Sequence, residues 1–188
     1  MFGVLGFELL FNELDKLEKK KCLALVEVYK KYRDIFQFGD LYELNSYSTN
    51  FQKWQVLSKD KSRSVVGHFN VLQKTNAPEA ILDTKGLLDD KQYTVEVVPV
   101  EHNIHEFGGL INMLTPFHVN PNGWLVNLLS KHTTIPSEKE EYLVYGSVLN
   151  NHGLILNPEW SASGMNEGVR ILEDFGSRIY LIYQHETN

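Results

Sequence analysis

The spacing of apolar residues divides the chain into a helical part and a β part. Residues 2–11 are nearly all apolar, which predicts a buried strand. Residues 14–36 follow a helical period, with Asn12 as the predicted N-cap and Asp15 in the first turn. One strand and one long amphipathic helix cannot bury their own apolar faces, so this unit is predicted to belong to something larger. The apolar stripe of the helix consists of Leu14, Leu17, Cys22, Leu25, Tyr29, Tyr32 and Phe36.

After Gly39 the pattern becomes one of short strands separated by polar turns. Turn signals lie at 58–61, 74–78 and 88–91. Short strands at this spacing are typical of an antiparallel sandwich. The predicted fold is therefore mainly β, with an antiparallel β-sandwich-like domain over residues 37–188 preceded by the helical unit of residues 1–36. The predicted strands cover 54–57, 64–72, 93–98, 142–145, 153–156 and 178–183.

The stretch 100–136 contains two apolar runs, and each run fits a helical face or a buried strand equally well. The turn 120–123 separates them, because Asn-Pro-Asn-Gly is a strong turn signal. We expect this stretch to be an insertion packed on the sheet. The first run is Leu110, Ile111, Met113, Leu114 and Phe117, and the second is Trp124, Leu125, Leu128 and Leu129.

Composition and charge narrow the classes of partner. The 188 residues are 43% hydrophobic and 22% charged, as in an ordinary globular protein, and the net charge of −6 disfavours a nucleic-acid partner. The basic run 19–21 lies among acidic residues and is interpreted as a solvated helix face. No apolar run approaches the roughly 20 residues that span a bilayer, so no membrane partner is predicted. A single cysteine and a start without signal-peptide features lead us to expect a cytoplasmic location.

His102 and His105 are the best candidates for a metal site. On a helix, two histidines three residues apart share a face, and Glu101 and Glu106 could add oxygen ligands. However, no zinc signature has this spacing, and the glycine pair 108–109 would weaken a helix. The favoured interpretation is a polar loop, and no metal or cofactor is predicted.

Other residues with reactive side chains are better explained by structure. Asp89–Asp90 and the acidic run 138–141 are adjacent in sequence, whereas a glycosidase needs two carboxylates about 5 to 10 Å apart across a cleft. They are interpreted as solvated charges. Cys22 lies on the apolar stripe, which indicates packing. The pattern therefore names no catalytic, cofactor-binding or metal-binding residue.

Three tryptophans could stack on a sugar. Trp54, Trp124 and Trp160 are large, flat side chains, but in a β domain such residues are more often part of the core or of an interface. Exposed tryptophans beside polar side chains would favour sugar binding, and buried ones would favour a structural role.

Five segments, in order along the chain, resemble glycoside hydrolase family 36 α-galactosidases. Segment 29–42 (YKKYRDIFQFGDLY) resembles the passage from the catalytic barrel into the C-terminal β domain, and 54–62 (WQVLSKDKS) and 66–72 (VGHFNVL) are similar to the strands that follow. Segment 145–154 (YGSVLNNHGL) resembles Gly-x-x-Leu-Met-Asn-x-Gly-Leu, with Asn150 in place of the usual Met. Segment 174–180 (DFGSRIY) resembles the closing strand of that domain.

The resemblance implies a fold and a function for the parent protein. Such enzymes have an N-terminal β-sandwich, a (β/α)₈ barrel and a C-terminal antiparallel β domain, and they hydrolyse α-galactosides such as melibiose and raffinose with retention. Their two catalytic aspartates lie on earlier barrel strands, and no Asp or Glu of this chain matches either. The resemblance also implies frequent oligomers and no cofactor. Residues 1–36 would then be the last strand and helix of the barrel, and the apolar stripe would either fold back on the β domain or drive self-association.

Three hypotheses for function follow. The first is a structural accessory domain of an α-galactosidase, inactive alone, with the catalytic barrel as its partner. The second is a carbohydrate-binding module that uses exposed aromatic residues. The third is a metal-dependent enzyme that uses His102, His105 and Glu106.

Overall fold

A computed structural model describes residues 3, 5–44, 50–72, 80–105, 112, 116, 118–120, 122–130, 134–137, 139–156 and 175–186. Within these ranges, two helices precede a β-rich unit, as the pattern predicts. In chain order the elements are α1 (Lys16–Lys31), α2 (Arg33–Phe38), β1 (Asp40–Glu43), β2 (Phe51–Leu57), β3 (Arg63–Asn70), β4 (Ile81–Leu82), β5 (Gln92–Val97), β6 (Glu101–Asn103), α3 (Trp124–Leu129), β7 (Thr134–Pro136), β8 (Glu141–Tyr145), α4 (Gly146–Asn151), β9 (Leu154–Ile155) and β10 (Ser177–Gln184).

The first helix begins later than the sequence predicts. Asp15 is the N-cap, and its carboxylate accepts a hydrogen bond from the Glu18 amide while the Glu18 carboxylate accepts one from the Asp15 amide, both at 2.8 Å. The prediction of Asn12 as the cap is wrong, because Asp15 has a glutamate three residues on that closes this reciprocal pair. The helix also breaks at Tyr32 (φ −113°, ψ 17°), so the predicted single helix is two.

The predicted strand at residues 2–11 is wrong for the part that the structure describes. Residues 5–10 form no strand, and Leu9, Leu10 and Phe11 are exposed. A strand requires a neighbour for its amide and carbonyl groups, and no described strand lies beside this segment. Apolar content alone therefore overstated the tendency to form a sheet here.

The main sheet has six strands in the order β1-β2-β3-β10-β5-β8, and every neighbouring pair is antiparallel. The mainly β, antiparallel prediction is confirmed, and all six strands predicted after Gly39 are found, the one at 153–156 shortened to β9. Two ribbons, β4–β9 and β6–β7, stand apart from this sheet. Because the layer opposite the main sheet is described only as a ribbon, a short helix and loops, the sandwich arrangement stays a prediction, as does the division at residue 36.

The main sheet carries apolar side chains on both faces. On the first face, called here the ribbon face, Val66, Tyr180 and Ile182 pack with Leu82 of β4 and Leu149 of α4. On the second, called here the helix face, the sheet packs against the two helices. Its core residues are Tyr29, Tyr32, Ile35, Phe36, Val56, Val65, Val98 and Leu181.

Two glycines allow close contacts that hold these layers. A Cβ at Gly39, between α2 and β1, would lie 2.6 Å from the carbonyl oxygens of both Ile35 and Leu57. At Gly146, where β8 passes into α4, a Cβ would lie 2.1 Å from the Leu88 carbonyl oxygen. Both glycines belong to the segments that resemble the α-galactosidase family, so a backbone requirement accounts for their place there.

The stretch 100–136 is described only in part. The second predicted run forms α3, which settles the choice between helix and strand, and the turn at 120–123 closes with the Gly123 amide donating to the Asn120 carbonyl at 2.9 Å. Val126 of α3 packs with Ile104. The residues of the first run, Leu110, Ile111, Met113, Leu114 and Phe117, lie outside the described residues, as does the predicted turn at 74–78.

Candidate interaction surface

The C-terminal part of the helical unit is fixed on the helix face. Tyr29 and Phe36 are buried and stack with ring centroids 5.6 Å apart. The Tyr29 hydroxyl donates to the Gly3 carbonyl (3.1 Å) and accepts from Gln37 Nε2 (3.0 Å). Of the two expectations for the apolar stripe, fold-back on the β domain is confirmed for this part of it.

The N-terminal half of α1 remains partly uncovered. Leu17, Cys22 and Leu25 of the stripe are half-buried, and Leu23 is 65% exposed. Just before the helix, Leu10 is 69% and Phe11 51% exposed. We call the exposed side chains of Leu9, Leu10, Phe11 and Leu23 the α1 surface.

A cleft of about 370 Å³ lies between α1 on one side and residues 98–102 and 175–179 on the other. Leu17, Lys20, Lys21 and Leu25 line one side, and Glu101 and Ile179 belong to the other. Lys20 forms an ion pair with Glu101, and this hydrogen bond, followed by one from Thr134 Oγ1 at 2.9 Å, lowers the pKa of the Glu101 carboxyl. The ion pair therefore ties α1 to the β6–β7 ribbon. Sequence reasoning missed this cleft, since Lys20 and Glu101 lie 81 residues apart and the basic run 19–21 was interpreted as a solvated helix face.

Two of the three tryptophans are exposed. Trp54 on β2 is 42% exposed, and its ring lies 5.5 Å from that of Phe69. Trp124, the first residue of α3, is 77% exposed, and Leu125, Leu128 and Leu129 beside it are exposed as well. Trp160 lies outside the described residues. These two tryptophans are therefore not core residues, whereas sugar binding, for which the sequence requires exposed tryptophans beside polar side chains, stays a prediction.

The predicted metal candidates are not brought together. His102 is buried on strand β6, whereas His105 is exposed beyond the strand, so the two do not share the helix face on which the hypothesis depends. Glu106 lies outside the described residues. In the described part of the chain, no group of three or more His, Cys, Asp or Glu residues is placed to hold a metal ion.

Several carboxylates of the described ranges serve structural contacts. Asp89 accepts a hydrogen bond from Asn150 Nδ2 at 2.9 Å, and Asp90 lies 3.8 Å from Lys91 Nζ. Glu96 and Glu141 are cross-strand partners on β5 and β8, a proximity that the sequence did not reveal. Glu96 accepts a hydrogen bond from the Tyr183 hydroxyl, which, together with burial, raises the pKa of Tyr183 to about 12. Because Glu141 is exposed on a strand at the edge of the sheet, this pair does not line the cleft that a glycosidase requires.

Asn150 is integrated into the fold by hydrogen bonds. Its carbonyl oxygen accepts from Thr84 Oγ1 (3.0 Å) and the Leu87 amide (3.3 Å), and its amide nitrogen donates to the Leu87 carbonyl and to Asp89 Oδ1, both at 2.9 Å. Asn150, which stands where the family pattern has Met, thus forms polar contacts that join α4 to the loop before β5.

No helix within the described ranges is both long and apolar enough to cross a membrane.

Comparison with curated proteins finds relatives for about half of the chain. The curated α-galactosidase AgaA of Geobacillus stearothermophilus is 37% identical over 97 residues, which are 51% of this chain and 13% of that protein. Mel36A of Lactobacillus acidophilus is 32% identical over 93 residues, again 13% of that protein. The chain therefore spans only a small part of the relatives it matches.

A solved structure and a family model extend the match. The α-galactosidase of Lactobacillus brevis superposes on 100% of this chain with a TM-score of 0.64 and 21% identity, covering 19% of that chain, which shows a shared fold. The model of the glycosyl hydrolase family 36 C-terminal domain matches residues 52–182, well over half of the sequence. The chain therefore belongs to the family of glycosyl hydrolase family 36 C-terminal domains.

Proposed function

We propose that this chain acts as the C-terminal accessory domain of an α-galactosidase, packs against a catalytic (β/α)₈ barrel and has no hydrolytic activity alone. The parent enzyme would hydrolyse terminal α-galactosides such as melibiose and raffinose with retention. The names of the curated relatives support the activity, and a solved AgaA variant holds raffinose.

One observation carries the packing role. The helix α1 buries its C-terminal end on the β domain but leaves apolar side chains of the α1 surface exposed, with Leu10 at 69% and Leu23 at 65%. Several large apolar side chains left exposed on and before a docked helix support a contact with another body. In the proposed enzyme, α1 is the last helix of the barrel, so the remaining barrel would cover the α1 surface.

The ion pairs that acidic side chains of this chain form support the proposal that it carries no catalytic carboxylate pair. A retaining glycosidase needs two carboxyl groups about 5 to 5.5 Å apart in a cleft. Asp83, Asp34 and Glu101 are instead paired with Lys53, Arg63 and Lys20. The catalytic pair is therefore proposed to reside in the barrel.

The α1 surface can be tested in the isolated chain. Replacing Leu10 and Leu23 together by Glu should abolish most binding of a hydrophobic dye and any self-association, yet change the stability by less than about 1 kcal/mol, since both side chains are exposed. Ile155→Glu, at a 60% exposed position on β9, serves as the matched control and should leave dye binding at the α1 surface unchanged. Equal dye binding and self-association by the double variant and the original chain would contradict the proposed surface.

Carbohydrate binding is a second candidate function, favoured by the 42% exposure of Trp54 beside the exposed residues Glu43 and Gln52. Trp124 is 77% exposed but lies beside exposed leucines, so it is not part of this candidate site. Carbohydrate binding belongs to a different class, since a sugar-binding module needs no barrel in order to act. The two candidates are compatible within one enzyme.

The cytoplasmic location and the formation of homo-oligomers are also proposals. The single cysteine, half-buried on α1, supports the first. The α1 surface supports the second, because a surface left uncovered by a barrel could pair with a second copy.

A further inference from the structure

Trp54 occupies an unusual position for so large an apolar side chain. It lies on β2, the second strand of the main sheet, on the face where Val56 and Val65 are covered by the helices. Even so, Trp54 is 42% exposed, and it does not belong to the core cluster that Val56 and Val65 form with the helices. The indole is therefore a partly exposed aromatic surface on a rigid strand.

The neighbours of Trp54 fix the ring without hiding it. The Phe69 ring lies 5.5 Å away at an interplanar angle of 55°, a tilted arrangement that restricts the indole. The cross-strand partner on β3 is Gly67, which has no side chain to compete for the space above that strand. A fixed indole loses little conformational entropy when a ligand stacks on it.

Polar side chains flank the indole on the same face. Glu43 is the cross-strand partner of Trp54 on β1, and Gln52 lies two residues away along β2, so both point to the side of the sheet that carries the indole. Both are exposed, and neither side chain forms a hydrogen bond or ion pair with another described residue. By the geometry of a sheet, the Cβ atoms of Glu43 and Trp54 lie about 5 Å apart, and that of Gln52 lies about 7 to 8 Å from that of Glu43, so a carboxylate, an amide and an indole are grouped on one face.

We propose that Trp54, Glu43 and Gln52 form a binding site for one hexose ring of an oligosaccharide. The C–H groups on the apolar face of a pyranose are attracted to the electron-rich face of the indole. The hydroxyl groups at the edge of the ring donate to the Glu43 carboxylate and exchange hydrogen bonds with the Gln52 amide. This combination of an aromatic surface and a few polar groups is typical of small-ligand sites.

A protein surface is the main rival as occupant of this site. Leu41, in the neighbouring row opposite Val56, is 66% exposed and would suit an apolar contact. The polar flanks favour the sugar, because a protein docked on Trp54 would bury Glu43 and Gln52 and would have to satisfy both. The inference deepens the second candidate function, carbohydrate binding, and rests on the accessory-domain proposal only in the choice of an α-galactoside as the probe.

The test is a titration of the full chain, labelled with ¹⁵N at tryptophan, with raffinose. The three indole N–H signals are assigned with single Trp→Phe variants. We expect raffinose to shift the Trp54 signal alone, with millimolar affinity. Trp54→Ala should weaken binding at least about tenfold, and Gln52→Ala should weaken it several-fold, as judged by ligand-observed NMR.

Trp124→Ala is the matched control, since it removes an equally large and even more exposed indole, and it should bind raffinose unchanged. The proposal is overturned if the Trp54 signal does not move at any soluble concentration of raffinose, or if Trp54→Ala, shown to be folded by its amide spectrum, binds as the original chain does. Either result would leave the accessory-domain proposal intact, because that proposal depends on hydrolysis and on the α1 surface.

Discussion

The rings of Tyr29 and Phe36 stack with an interplanar angle of 14° across the break that separates α1 from α2. Both side chains are buried, together with Val56, Val65 and Leu181 of the main sheet. The two helices therefore share a core with the β domain, although the sequence assigns α1 to a different structural unit. This shared core makes the helices a stable platform for further contacts.

Phe36 is predicted to be a major contributor to that core. Phe36→Ala should lower the free energy of unfolding by about 3 to 5 kcal/mol, since it leaves a cavity between helix and sheet. Phe38 lies on the same helix and is 71% exposed, so Phe38→Ala should cost less than about 1 kcal/mol. Urea denaturation of both variants measures the difference. Equal costs would show that the helices do not dock on the sheet as described.

The ion pair between Lys53 and Asp83 is predicted to stabilise the fold because Lys53 is buried. The Lys53 side chain is 7% exposed, whereas that of Asp83 is 36% exposed, and Lys53 also donates to the Ile81 carbonyl at 3.2 Å. Asp83→Asn should cost about 2 to 3 kcal/mol, because it leaves a buried ammonium without its counter-charge, and adding Lys53→Met should recover most of that loss.

The exposed pair of Lys59 and Asp40 provides the control for this prediction. Their side chains are 69% and 47% exposed, so Asp40→Asn should cost less than about 1 kcal/mol. Thermal unfolding at constant pH compares these three variants with the original chain. A double variant less stable than Asp83→Asn alone would contradict the desolvation argument.

Asp60 is predicted to make the turn between β2 and β3 sensitive to acid. Hydrogen bonds from the Ser58 hydroxyl (2.6 Å) and then from the Ser62 amide and hydroxyl lower the pKa of Asp60 from 3.8 to about 2. Since the folded pKa is the lower one, the contribution to stability is present above about pH 4 and is lost as the pH falls toward 2.

Ser58→Ala should therefore move the pKa of Asp60 toward 3.8 and reduce the loss of stability between pH 4 and pH 2. Carboxyl chemical shifts followed by NMR give the pKa directly. An unchanged pKa in this variant would exclude the Ser58 hydrogen bond as the main cause.

Asn150 is predicted to stabilise this chain, although the family pattern has Met at this position. Asn150→Met should lower the free energy of unfolding by about 1 to 3 kcal/mol, because the Thr84 hydroxyl and the Leu87 backbone would lose their partner. Asn151→Met changes an exposed neighbour on α4 and should have a much smaller effect. Chemical denaturation compares the two, and a stabilised Asn150→Met variant would refute the prediction.

Much of the β domain could be predicted because its signals are local. The turn at 58–61 and the alternating run before Val98 depend on neighbouring residues, and both are found where the sequence places them. The predicted helix was also found, since its stripe of Tyr29, Tyr32 and Phe36 is buried on the sheet.

The remaining features depend on distant residues. Residues 2–11 read as a strand because they are apolar, yet a strand needs a neighbour that the described structure does not provide. Glu43 lies beside Trp54 because of the register of β1 on β2, and no local sequence pattern reveals that register. The cleft beside α1 likewise depends on an ion pair between residues 20 and 101.

The most direct test of the account is hydrolysis of a chromogenic α-galactoside by the purified chain, with an intact α-galactosidase as the positive control. If the chain is an accessory domain, no turnover above background is expected, because the catalytic carboxylates are proposed to belong to the barrel. Reproducible turnover that survives repurification, and that is lost in a Glu96→Gln or Glu141→Gln variant, would mean that this chain carries a catalytic pair of its own and would contradict the account.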